Sequence, residues 1–148
     1  HLRLDGFNHK GYNSHIIHPD WYINILEQET FEKLYIVMAT TSGRIWHKQA
    51  RSKRKYIDYF TKFNYEIISQ SEYEDFNFIK KFDKIISSNS TFSWWAAFCS
   101  DASKIYVPPY WEGKESKLTK IGENSIVMKI KYIYVNIDTM EKRPITFQ

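Results

Sequence analysis

The chain holds a single cysteine, Cys99, among 148 residues. That excludes an internal disulfide framework and any zinc site built on several thiolates, and a reducing compartment is the simpler expectation. No apolar run approaches the roughly 20 residues that span a bilayer, and no signal-peptide pattern is visible. The expected location is cytoplasmic or membrane-associated, with any anchor lying outside this segment. His9, His15, His18 and His47 lack a His-Glu-x-x-His spacing, so no metal site is expected. Walker, Gly-x-Ser-x-Gly and Asp-x-Asp motifs are absent as well, which leaves a P-loop enzyme or a serine hydrolase without support.

What is present is a well-filled, aromatic chain. Hydrophobic residues make up 43% and aromatic residues 18%, enough for one domain with a real core and for pockets with flat apolar walls. A formal charge of +4 suits an anionic ligand, yet the basic residues are spread along the sequence with no nucleic-acid reading motif beside them, so no nucleic-acid partner is expected. The first four residues, His1-Leu2-Arg3-Leu4, read as the middle of a strand. The segment is therefore expected to be cut from something longer.

Four short apolar runs, 34–38, 66–68, 84–87 and 104–107, suit buried strands of a parallel sheet. Between them lie segments of helical character, at 19–28 with Pro19 opening the first turn, and at about 53–63, 73–82 and 91–100. Such alternation predicts an α/β fold. A last apolar stretch, 128–137, reads as an edge strand or a hairpin arm.

In parallel sheets ligands sit beyond the carboxyl ends of the strands, which here are the loops 5–18, 39–52 and 87–91. The last of these opens the run Ser88-Asn89-Ser90-Thr91-Phe92-Ser93-Trp94-Trp95-Ala96-Ala97. Small polar residues that end a strand and begin a helix make an N-terminus whose free N–H groups can hold a phosphate. His1 and Arg3, two apart on a strand, leave on one face. The pair either grips phosphate oxygens and a base edge or makes a structural ion pair with a nearby Asp. Asp75 either caps the helix at 73–82 or accepts the two donors of a guanine edge. The basic run Arg44, His47, Lys48, Arg51, Lys53, Arg54 and Lys55 is a solvated face or a lid over phosphate, with the solvated face the simpler reading. Trp94 and Trp95 read as helix core, with at least one buried against the sheet.

Taken together, His1-Leu2-Arg3-Leu4-Asp5-Gly6-Phe7, the run Asp75-Phe76-Asn77-Phe78-Ile79 and the stretch 85–97 resemble the α-1,2-fucosyltransferase family and its wider superfamily of GDP-fucose enzymes. The resemblance implies the parallel-sheet, Rossmann-like half of a GT-B type glycosyltransferase. Residues 1–148 would then form a single donor-nucleotide-binding domain, the C-terminal half of a two-domain chain whose N-terminal domain is missing. It further implies a GDP-sugar donor and a glycan acceptor, with no cofactor or metal. Arg3 would grip the β-phosphate and His1 would reach the guanine side. Asp75 would recognise guanine, Ser90 and Thr91 would hold the diphosphate, and Ser88 and Asn89 would shape the turn. The family's first motif usually reads Gly-Asp where this chain has Asp5-Gly6. Asp5 is the candidate general base by its nearness to Arg3. A second class of function on the same fold is a glycan-binding module without catalysis, its aromatics stacking on sugar faces.

Overall fold

The computed structural model describes residues 1–4, 16–39, 53–108, 132–135 and 142–144. Helix α1 (Pro19–Glu27) starts where Pro19 sets the first turn and the His18 ring accepts from the Asp20 N–H. Strand β1 (Leu34–Val37) follows, then helical residues 53–58 (α2), strand β2 (Tyr65–Ile68) and helix α3 (Glu72–Ile79). Strand β3 (Lys84–Ile86), helix α4 (Thr91–Phe98), strand β4 (Lys104–Val107), and strands β5 (Tyr132–Val135) and β6 (Lys142–Pro144) complete the order.

Helix α3 has a closed N-terminus. The Ser71 hydroxyl accepts from the Glu74 N–H and the Glu74 carboxylate accepts from the Ser71 N–H, a reciprocal capping box. Asp75 is therefore not the cap of this helix. Ser71→Ala removes half of the box, and thermal or urea denaturation should show a loss of about 1 kcal/mol.

β1 pairs with β2 in parallel, Leu34 opposite Tyr65 through Val37 opposite Ile68. β3, β4 and β5 run parallel in a second sheet, and β6 closes it antiparallel to β5. The stretch 128–137 thus yields one arm of an antiparallel pair, as its pattern allows, but its strand lies inside the sheet. The edge-strand alternative is corrected because β5 is flanked by β4 on one side and β6 on the other.

Residues 1–4 join the two sheets without forming an assigned strand. The Leu2 N–H donates to the Val37 carbonyl at 2.9 Å and the His1 nitrogen to the Ile86 carbonyl at 2.9 Å, so one extended stretch bonds to β1 and β3. Alternation then divides the core. Leu2, Leu4, Ile36, Met38 and Tyr106 pack with Trp21, Ile25 and Phe60 from the α1 and α2 side. Val37, Ile85, Ile105 and Val107 pack with Ile79, Ala96 and Ala97 from the α3 and α4 side. Both faces are covered, which is why these strands read as continuous apolar runs.

Two helix expectations change. The periodic pattern at 53–63 is helical only over 53–58 and turns thereafter. In α4 neither tryptophan is fully buried: Trp94 is partly covered and Trp95 is 50% exposed. Ser93, Ala96 and Ala97 take the buried positions instead, and the two alanines pack with Ile85, Ile105 and Val107 of the sheet, where small side chains fit. The two indoles and Phe98 pack on one another along the outer flank, Trp94 stacked on Phe98 with centroids 5.3 Å apart.

Candidate functional site

Residues 87–90 leave the carboxyl end of β3 and lead into α4, and all four are buried. The Ser87 and Ser88 hydroxyls are tied to that of Ser93 inside α4. Ser87 Oγ lies 2.8 Å from Ser93 Oγ, which also sits 3.2 Å from the Ser90 carbonyl and 3.3 Å from that of Ser88. The Ser90 N–H donates to the Ser88 carbonyl at 2.8 Å, which tightens the turn. A compact knot of serines therefore fixes the backbone on which α4 begins.

Ser90 is the N-cap of α4, with extended φ −151° and ψ 126°, and its side chain makes no capping bond. The N–H groups of Thr91, Phe92 and Ser93 lie in the first turn and have no acceptor within the helix. Here α4 differs from α3. The contrast follows from sequence, since Ser71 has Glu74 three residues on while Ser90 has Ser93, whose hydroxyl turns inward. Thr91 is exposed and Asn89 is 7% exposed, with its Oδ1 buried and unpartnered. An unsatisfied buried acceptor costs about 1–3 kcal/mol.

His1 reaches the same turn. Its Nδ1 is 2.9 Å from Ser88 Oγ and its ring lies against Phe92 with centroids 5.4 Å apart. Two residues on, Arg3 leaves on the same face and is exposed. Among the described residues no carboxylate pairs with it. Asp5 lies outside the described residues, as does most of the loop carrying Arg44 to Lys55. Of that basic run, Arg54 and Lys55 are exposed, whereas Lys53 is 3% exposed with its Nζ 3.5 Å from the Ala39 carbonyl. The pattern of charges gave no sign that one of them is buried.

Asp75 is buried at 7% exposure in the first turn of α3. Its Oδ1 accepts from the Gln70 N–H at 3.1 Å, while Oδ2 has no donor among the described residues. Burial pushes its pKa up and the neighbouring Glu74 charge adds to this, against the pull of the Gln70 hydrogen bond. Phe76, next in sequence, meets the Phe92 ring at 5.7 Å, so α3 and α4 touch behind the serine turn. His1, Ser88 and Phe92 are in direct contact, and Asp75 joins them through Phe76. Sequence reasoning missed Gln70 and gave Ser87, Phe92 and Ser93 no individual role in the site, since none of them stands apart from ordinary core or turn residues. Among the described residues no group of three His, Cys, Asp or Glu is placed to hold a metal ion, and no helix is long and apolar enough to cross a membrane.

Residues 22–136 match the family described as Glycosyl transferase family 11, a span that includes Asp75 and the serine turn and excludes His1 and Arg3. No curated protein and no solved structure matches the chain. With most of its length matched, the chain belongs to glycosyl transferase family 11.

Proposed function

We propose that residues 1–148 form the donor-binding, Rossmann-like half of a GT-B type, α-1,2-fucosyltransferase-like enzyme, a single domain of a longer two-domain chain. The domain binds GDP-fucose and passes the sugar to a glycan hydroxyl with inversion. The observation that carries this reading is the open N-terminus of α4, with His1 bonded to Ser88 beside it and Arg3 exposed on the same face.

The strand order supports it. With residues 1–4 counted as the first strand, the order across the sheet is third, second, first, fourth, fifth, sixth, the order of doubly wound nucleotide-binding sheets, with β6 added as a seventh, antiparallel strand at the edge. Ligands bind such sheets at the crevice where the order reverses, here between Arg3 and the serine turn.

In the proposed reaction the acceptor oxygen attacks the anomeric carbon as the bond to the β-phosphate oxygen breaks, and GDP leaves with the electron pair. Charge building on the diphosphate is met by the Arg3 guanidinium and by the first-turn N–H groups of α4. This route asks for no metal ion. A base takes the acceptor proton, and Asp5 is our candidate on this chain. Asp75 takes the N1 and amino donors of guanine on its carboxylate.

Calorimetric titration with GDP, ADP and UDP tests the reading. Saturable binding confined to GDP is expected, and equal binding of all three would overturn it. Asp75→Asn should weaken GDP about 10- to 100-fold, the worth of a charge-assisted pair, and erase the preference over ADP. The pH dependence has a definite sign. Because the folded carboxyl titrates above its ordinary value of about 3.9, GDP affinity declines as pH falls through that raised value, and binding releases protons. Without ligand, the ionised form is the disfavoured one in the fold, so stability from this group falls as pH rises through the same window. Asp75→Asn should therefore leave the melting temperature of the free protein unchanged or higher.

A further inference from the structure

A cavity opens in the middle of the sheet, between the facing edges of β1 and β3. Its walls are Leu34, Tyr35 and Ile36 on one side and Lys84, Ile85 and Ile86 on the other. His1 and Leu2 close one end of it, whereas Arg3 and Leu4 do not touch it. The extended segment therefore enters the sheet from the cavity side and runs toward the carboxyl ends of its neighbours, parallel to both.

We propose that this slot seats three apolar residues in extended conformation, joined directly to His1 and completing one continuous sheet. The register follows from bonds already made. Leu2 donates to Val37 and His1 to Ile86, so a strand continued backward sets its three residues opposite Ile36 and Ile86, then Tyr35 and Ile85, then Leu34 and Lys84.

The backbone of the walls is turned the right way. Leu34 and Met38 donate to the Asn64 and Ile68 carbonyls of the β2 side, so the intervening Tyr35 and Val37 N–H groups face the slot. Ser87 donates to the Tyr106 carbonyl, so the Ile86 N–H faces it from β3. Donors lined up on both edges ask for a strand, because each one left without an acceptor carries the penalty of an unmade hydrogen bond.

Side-chain chemistry is equally specified. The first and third added residues fall on the face of Leu2 and meet Tyr22, Leu26 and Phe60, and the second falls on the face of His1 and meets Ile79 and Phe82. All three positions are apolar, which selects β-branched residues over charged ones.

The test compares residues 1–148 with chains bearing Val-Ile-Val, Val-Ile-Pro or Asp-Asn-Asp immediately before His1. Val-Ile-Val is expected to raise the melting temperature by about 5 °C or more. It should also slow hydrogen exchange at Tyr35, Val37 and Ile86. Val-Ile-Pro lacks the N–H next to His1 and should lose part of the gain, and Asp-Asn-Asp should give none. If the parent chain shows no cooperative transition, recovery of one by Val-Ile-Val alone supports the proposal. Equal behaviour of all four chains overturns it, as does protection of those amides in the parent.

Discussion

Arg3→Ala is expected to lower transfer kcat/KM about 100- to 1,000-fold, the scale on which removal of one preorganised charge-stabilising donor acts. Arg3 is exposed, and among the described residues it makes no ion pair, so the fold does not depend on its charge. The melting temperature of the variant should match that of the parent, since surface changes away from packed features stay within about 0.5 kcal/mol. Arg3→Lys should recover only part of the activity. A lysine restores the charge but not the planar fork that meets two phosphate oxygens at once. The division between kinetic parameters carries the mechanistic content. If the guanidinium acts mainly on the leaving diphosphate, kcat falls with kcat/KM, whereas a role in ground-state binding alone raises KM and spares kcat. Retained activity in Arg3→Ala would remove the phosphate role assigned to this face of the segment.

The central strands β3 and β4 were legible because both of their faces are covered, which leaves Ile85 and Ile105 in unbroken apolar runs. The same-face pairing of His1 and Arg3 was legible because extended backbone alternates with period two. Ser88 to Thr91 stood out because small polar residues followed an apolar run. Long-range contacts were not legible. Nothing in the local pattern distinguishes Ser93, whose hydroxyl ties the turn together from inside the helix, from a solvent-facing serine. Asp75 looked like a helix-opening residue, and only the reciprocal contact of Ser71 with Glu74 frees it from that role. The stretch around Tyr132 showed its apolar alternation but not its neighbours, since a strand's place in a sheet is set by pairing across sequence distance. Trp94 and Trp95 misled for a related reason. Bulk predicts burial in general, but Ala96 and Ala97 take the contact with the sheet, where small side chains fit.

Glu29→Gln should cost about 1.5–3 kcal/mol at neutral pH, the range for hydrogen bonds to a charged group, toward the lower end. Glu29 follows α1 and has a side chain only 9% exposed, where it meets Lys84 at 3.1 Å, Lys104 at 3.1 Å and the Tyr106 hydroxyl. Burial alone would raise its pKa, but the Tyr106, Lys84 and Lys104 contacts outweigh it and hold the carboxyl down at about 2. The lysines are 32% and 45% exposed, so water screens part of their attraction, which is the reason for the lower end of the range. The sign follows from linkage. A carboxyl depressed from about 4.3 in the unfolded chain stabilises the fold fully above that value and loses the contribution as pH falls toward 2. Urea unfolding at pH 7, 5, 3 and 2 should therefore show parent and variant converging at the acid end, because the glutamine has no proton to take up. Lys84 and Lys104 open β3 and β4, at the end of the strands opposite the serine turn. GDP affinity in Glu29→Gln should consequently stay at the parental value while stability falls. A stability difference that persists unchanged to pH 2 would mean that the variant loses packing and not charge, and would leave the carboxylate without its assigned role in joining α1 to the sheet.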